Sequence, residues 1–428
     1  MSSTRRLAES PRAYFILAVM VALTLLVGAF ALRAHPSAFS MGETTSWQGV
    51  ALNLKRGFGY SLCNQYYFPF CDESHSTTAM REPAPVLLFA GVAYLFNESL
   101  LAASATELAL LVGVMVALFF LTREWADAQT GLLAAFAWAL YPRALSLVPQ
   151  VSGDLLAGLG VTVGVFFVLR ARRTERIRDW LLAGVGLSVA LMSRSAMLMV
   201  ALTVIAGLII ERWSLRHNLW NWIRPALLIG IFVASFLTLW LARTTLTFGR
   251  PLIGSSLVGY NIYRHNYILE TNDYLHYVGN DEGYRAVQAL IARRADLRGN
   301  ENEAEMDAVY RQEGIKIIAA HPIRYVLLSG YRFFPLWFDW RVSEGFGYPM
   351  GFTEYGMVVV QAILLILAFI GLQKNARRLW VLWASLTMVS LAYMAVDSRM
   401  LYTSPIMPLV ISLSAAGALR IQNKRRVL

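Results

Sequence analysis

Charge is scarce in this chain. Of its 428 residues only 15% are Asp, Glu, Lys or Arg, where soluble proteins carry about 25%. Together with a mean hydropathy of +0.50, that scarcity excludes a soluble globular body. Cysteine is nearly absent: Cys63 and Cys71 are the two copies. Two cysteines without a matching histidine pair do not make a zinc site. His265, His276 and His321 show no metal-ligand spacing either. There is no GxxxxGK[ST], HExxH, paired CxxC or GxSxG motif. Nucleotide binding on the inner face therefore has no support. No repeat and no low-complexity tract is visible.

What the chain has is apolar runs of membrane length. About 20 such residues cross a bilayer. Spans are expected near 14–32, 100–121, 130–142, 152–169, 180–193, 196–210, 225–242, 356–373, 379–395 and 402–419. The fold class is an all-α polytopic bundle of about ten spans. The run 14–32 reads as a retained span, since it lacks a small-residue cleavage site and further spans follow. Two long polar stretches interrupt the bundle, residues 33–97 and 246–355. The whole of 1–428 reads as one transmembrane domain, with no soluble domain holding a core of its own.

The net charge of +11 reads as loop charge that orients the spans, not as a nucleic-acid footprint. Half of the 38 lysines and arginines fall at the N-terminus, near 123, 170–178, 212–224 and 374–378, and in the tail. The opposite short turns hold Arg143, Arg194 and Arg399. Positive charge marks the cytoplasmic side, so both termini lie inside and both long stretches outside. The apolar segment 84–96 is too short for a comfortable span and would invert the basic loops. It reads as an interfacial helix. The run 180–210 reads as a hairpin turning at Arg194. A helical stretch is expected near 301–334, with Ile315, Ile318, Tyr325 and Leu328 on its apolar side.

Several residues could carry chemistry. Glu43 follows the first span and shares a helical face with Trp47 and Ala51. Partly desolvated near the membrane surface, it is a candidate general base. The ordinary alternative is a helix N-terminal acid favoured by the dipole. Arg81 would lie at headgroup level, as a phosphate ligand or as an anchor. Asp154 sits at the mouth of a span, where an ionisable residue is expensive; a solvated loop acid is the plainer reading. Arg194 and Arg399 share the outer layer and suit an anionic lipid phosphate, or snorkel to set helix depth. The run 259–267 offers Tyr263 and His265 among tyrosines and asparagines, suited to sugars or to any interfacial loop. Cys63 and Cys71 either form a small-loop disulfide in an oxidising compartment or stay free.

In that order along the chain, these motifs resemble the GT-C integral-membrane glycosyltransferases. The resemblance is to the bacterial branch similar to dolichyl-phosphate-mannose protein mannosyltransferases and the lipid A aminoarabinose transferase. It is carried by Glu43, by Arg56-Gly57-Phe58-Gly59-Tyr60, by Arg81-Glu82-Pro83, and by Asp154 after Pro142 and Pro149. It continues through Gly184 to Gly186 leading to Arg194, Gly259 to Tyr263, Ala320-His321-Pro322-Ile323-Arg324-Tyr325, and Arg399 with Pro405 and Pro408. One departure is Glu43 followed by Thr44, where the family usually has Asp and then another acid.

The resemblance implies transfer of a sugar from a polyprenyl-phosphate donor to a glycan, glycolipid or protein acceptor. The reaction would occur on the outer face of the bacterial inner membrane. Glu43 would be the base, with Asp154 supporting the site; Arg81, Arg194 and Arg399 would hold the leaving phosphate, and Tyr263 and His265 would contact substrate. A phosphate leaving group can be stabilised by arginines alone. No cofactor and no obligate metal are expected, although related oligosaccharyltransferases use a metal. The competing reading is a transporter or flippase of lipid-linked sugars, which usually places charges at mid-membrane and shows repeats.

Overall fold

The computed structural model describes residues 10–34, 44–71, 75–214, 219–345, 347–348, 350–373 and 375–425. Regular structure among them is helical, with one isolated antiparallel bridge between Ser61 and Thr77. In chain order the longer helices are α1 (Ser10–Ala34), α2 (Thr44–Lys55), α3 (Pro83–Leu95), α4 (Leu100–Trp125), α5 (Ala128–Ala139), α6 (Asp154–Thr174), α7 (Ile177–Ser193), α8 (Leu198–Ser214) and α9 (Leu219–Phe248). The second polar stretch supplies α10 (Val258–Asn266), α11 (Asn280–Arg293), α12 (Glu303–Ala320) and α13 (Pro322–Tyr331). Then come α14 (Phe352–Leu372), α15 (Trp380–Val396) and α16 (Met407–Arg425).

Each of the ten expected spans is a helix. Five of them, α1, α4, α6, α9 and α14, are long and apolar enough to cross a membrane on those grounds. Helix α5 has only 12 residues, about 18 Å of rise, against a hydrocarbon core of about 30 Å. The chain breaks at Arg194, whose backbone is extended between α7 and a short 3-10 turn. Segment 84–96 forms α3, which packs on α2 and α7.

Small residues let the central helices touch. A Cβ on Gly160 of α6 would lie 2.7 Å from the Gly186 carbonyl and the Ala190 nitrogen of α7. Close backbone approach through Gly is how helices associate in lipid, where water supplies no driving force. Helix α1 is different. It rests on α4 and α5 along one side, and only 11% of its apolar window is buried.

The long polar stretches hold a second apolar cluster, which the sequence did not lead us to expect. It joins Phe68 and Met80 of the first stretch to Tyr260, Tyr263, Val287, Met306, Tyr310 and Ile317 of the second. Its members are tyrosines and scattered aliphatics, so no apolar run announces it. The helical stretch expected at 301–334 is broken at His321-Pro322 into α12 and α13. Proline lacks the N–H that a helix interior needs and is tolerated in a first turn. The buried face of α12 is Met306, Tyr310, Gly314 and Ile317, while Ile315 is exposed.

Glu303 ties the two stretches together. Its buried carboxylate accepts from the Thr78 hydroxyl (2.6 Å), the Ala79 N–H (2.8 Å) and the Ser256 hydroxyl (2.7 Å). Arg243 of α9 adds a link to the bundle by donating to the Thr78 carbonyl at 2.8 Å. In the turn 56–60, Gly57 and Gly59 have φ of +86° and +74°, a region that favours glycine.

Candidate active site

A cavity of about 630 Å³ opens where the ends of α7, α8 and α15 meet the polar stretches. Four arginines line it: Arg81, Arg194, Arg264 and Arg399. Glu82 and Asp397 are the carboxylates on its wall. Leu198 and Met199 of α8 and Ala392 and Val396 of α15 give it an apolar side.

Each arginine is held by a different device. Arg81 precedes α3; its Nε donates to the Ser46 hydroxyl at 2.8 Å, and its guanidinium lies 4.0 Å from the centre of the Trp47 ring. Arg194 donates to both oxygens of Asp154, at 2.8 and 2.6 Å, and approaches the same Trp47 ring at 4.8 Å. One buried indole thus sits beside two guanidiniums. A cation over a tryptophan face gains about 0.5–2 kcal/mol. The ion pair forms because Asp154 opens α6 while Arg194 ends α7, and those helices run in contact.

Arg264 lies on α10 and is almost fully buried. Its Nη2 donates to the Gly279 carbonyl (3.1 Å) and to Asn280 Oδ1 (3.0 Å). Gly283 makes room for it, since a Cβ there would collide with the Arg264 side chain. Arg399 donates to the Tyr277 hydroxyl at 2.6 Å. Its position is fixed from behind. Arg332 donates to the Met394 and Ala395 carbonyls at 3.3 and 3.2 Å, and Tyr325 donates to Ala395 at 3.0 Å. These cap the otherwise orphaned carbonyls at the C-terminus of α15.

Asp397 is buried, with its Oδ1 3.2 Å from His265 Nε2 and its Oδ2 accepting from the Tyr402 hydroxyl at 2.8 Å. Burial alone would raise its pKa, but His265 beside it, and after it the charges of Arg399 and Arg264, hold it well below the usual carboxylate range. Burial, with Arg264 and Arg332 nearby, pushes the His265 imidazole down to about 4. At pH 7 the pair is therefore a neutral imidazole beside a carboxylate.

The structure brings Arg81, Arg194 and Arg399 into one cavity wall. It places Asp154 behind Arg194, outside the lining. His265 is buried beside Asp397 and borders a smaller adjoining cavity. Tyr263 is not a lining residue; it packs in the second apolar cluster, with its hydroxyl donating to the Ala286 carbonyl at 3.3 Å. Glu43 lies outside the described residues. Cys63 and Cys71 are joined as a disulfide, with Cα atoms 5.6 Å apart. Among the described residues no group of three or more His, Cys, Asp or Glu side chains is placed to hold a metal ion. Sequence reasoning missed Arg264, Glu82 and Asp397. The available signal was position, since each stands one or two residues from a residue that was singled out.

Residues 80–240 match the family model of dolichyl-phosphate-mannose-protein mannosyltransferases. Among solved structures the chain resembles the oligosaccharyltransferase AglB of Archaeoglobus fulgidus in complex with an inhibitory peptide and a dolichol-phosphate. The TM-score is 0.57 at 11% identity, over 96% of this chain and 50% of that one. The apo form of the Archaeoglobus fulgidus oligosaccharyltransferase gives 0.55 at 13% identity, over 95% and 50%. ArnT of Cupriavidus metallidurans bound to undecaprenyl phosphate gives 0.41 at 10% identity, over 94% and 77%, a score that adds no weight. The chain spans about half the length of the oligosaccharyltransferase it matches. No curated protein sequence matches it. The family match covers residues 80–240, and the likeness to the oligosaccharyltransferase is one of fold.

Proposed function

We propose that this chain transfers a sugar from a polyprenyl-phosphate carrier to an acceptor hydroxyl on a glycan, glycolipid or protein. The observation that carries the reading is the cavity itself: apolar side chains of α8 and α15 beside four arginines. An amphiphile with an anionic head and an alkyl tail fits that division. Guanidinium forks match phosphate geometry and keep their charge at any working pH. The likeness in fold to an oligosaccharyltransferase in complex with a dolichol-phosphate supports this donor class.

In this reading the acceptor oxygen attacks the anomeric carbon. Its proton passes to the base, and the bond to the phosphate oxygen breaks with its electron pair. The lipid phosphate leaves with its charge met by Arg81, Arg194, Arg264 and Arg399. Glu43 remains the base by its place in the chain, three residues before the lining residue Ser46. Asp154 acts through Arg194 and is a positioning residue. The site faces the outside of a bacterial inner membrane, with both termini cytoplasmic, on the charge asymmetry of the short loops.

The test is sugar release from radiolabelled polyprenyl-phosphate sugars by the full chain in native membranes, with and without EDTA. Wild type should consume one donor, and Glu43→Gln should lower turnover by about 10²-fold or more, the usual worth of a general base. Full turnover in Glu43→Gln would remove the base assignment. Binding without turnover across the panel would favour a transporter.

A further inference from the structure

The cavity lining divides by the elements that supply it. Leu198, Met199, Ala392 and Val396 come from the apolar helices α8 and α15. Asn64, Tyr67, Asn261 and Asn280 come from the polar stretches. This group is three amides and an aromatic ring, and the same stretches also bring Glu82 and the apolar Ile253, Leu257 and Val258 to the wall. An amide offers donor and acceptor together, which suits hydroxyl groups, while an aromatic face suits the C–H side of a sugar ring.

Asn64 and Tyr67 lie inside the ring closed by Cys63 and Cys71. That ring is fixed from within and from behind. Asn64 Oδ1 accepts from the Tyr66 N–H at 3.1 Å, and the Asn64 carbonyl accepts from the N–H groups of Tyr67 and Phe68, each at 3.0 Å. The Tyr310 hydroxyl donates to the Tyr67 carbonyl at 3.2 Å, and the Tyr67 ring meets Tyr260 edge-on at 5.0 Å. The Tyr66 hydroxyl donates to the Asn280 carbonyl at 2.8 Å, and its ring stacks on Tyr284 at 5.1 Å. Arg264 holds the Asn280 side-chain oxygen at 3.0 Å. That bond fixes the amide orientation and leaves its NH₂ for a ligand. A wall so constrained in advance pays little ordering cost when it binds.

Tail, phosphate and sugar follow one another along a polyprenyl-phosphate sugar. Apolar side chains, arginines and amides all line this one cavity. We infer that the Cys63–Cys71 ring is a specificity element: Asn64 and Tyr67, with Asn261 and Asn280, read the hydroxyls of a neutral sugar on the lipid donor. The inference rests on the transfer reading above.

The test uses the full chain in lipid nanodiscs. Affinity is measured for bare polyprenyl phosphate and for the same lipid carrying mannose, glucose or galactose. Wild type should favour one sugar-bearing lipid over bare lipid by about tenfold or more, the worth of one or two added hydrogen bonds. Tyr67→Ala, Asn261→Ala and the paired Cys63→Ser, Cys71→Ser variant should each lose that preference while bare-lipid affinity stays within about twofold. Arg81→Ala should instead weaken every lipid alike. Retention of the sugar preference in all three variants overturns the inference, as does equal loss of bare and sugar-bearing lipid, which would mean a merely structural ring. A wild type that binds bare lipid but prefers no sugar also overturns it and leaves the carrier site standing. Failure of wild type to bind any polyprenyl phosphate removes the transfer reading, and this inference with it.

Discussion

Asp154 and Arg194 are forty residues apart in sequence and meet in two parallel hydrogen bonds of 2.8 and 2.6 Å. The carboxylate is wholly buried and the guanidinium nearly so. Removing one partner strands the other's charge, at a cost of about 3–5 kcal/mol. Asp154→Asn should therefore lower the thermal unfolding midpoint of the purified protein and reduce turnover together. Recovery of the midpoint, without recovery of turnover, in a paired Arg194→Met variant would show that the stranded charge, not the lost contact, lowers stability. An unchanged midpoint in Asp154→Asn would contradict the buried pair.

Arg81 tests whether charge alone suffices in the cavity. Arg81→Lys keeps the charge but loses the planar stack on Trp47, and the two side chains are not interchangeable at a stacked site. The stack contributes about 1 kcal/mol, so lipid-phosphate affinity should fall roughly fivefold to tenfold. Wild-type affinity in Arg81→Lys would mean that Trp47 does not orient the guanidinium.

Glu303 gives a pH signature. Burial pushes its carboxyl up to about 7 from an ordinary 4.5, although three donors and Arg243 pull the other way. The folded state then holds the proton more tightly than the unfolded chain. This contribution is full below about pH 4.5 and is lost as pH rises through about 7. Its size is about 3 kcal/mol, at roughly 1.4 kcal/mol per unit. Unfolding midpoints of Glu303→Gln should show a flatter dependence between pH 5 and 8 than wild type. Parallel curves would sink the assignment.

Gly160 tests the helix crossing. Its hydrogen faces the backbone of α7, where a Cβ would come within 2.7 Å of two backbone atoms. Backbone cannot yield as a side chain does, and overpacking costs about 1–3 kcal/mol or more. Gly160→Ala should lower the unfolding midpoint more than Gly91→Ala, a position with open space around it. Equal effects would contradict close packing of α6 on α7.

The bundle was legible because membrane spans write themselves as uninterrupted apolar runs, and Arg194 and Arg399 because each stands alone at the end of one. Arg264 was not legible. It sits in a run of tyrosines and asparagines, and only the fold shows that Gly283 leaves it space and that Asn280 takes its hydrogen bond. Asp397 was overlooked because a carboxylate after a span reads as solvated, whereas helix α10 brings His265 against it. The buried face of α12 was misread because Gly314 scores as nothing in an apolar pattern. In the fold that glycine lets α10 pack against α12, its Cβ position lying 2.9 Å from the Tyr263 nitrogen.

Helix α1 touches the bundle along one side and leaves most of its apolar window uncovered by protein. Its depth is therefore governed by the acyl chains around it, since an apolar helix tilts or shifts to match the local hydrocarbon thickness. Nine residues beyond α1 the chain reaches Glu43, and three further on Ser46 in the cavity wall. On the proposed transfer reading, the membrane is then solvent for a carrier's tail and also the surroundings that set the depth of α1.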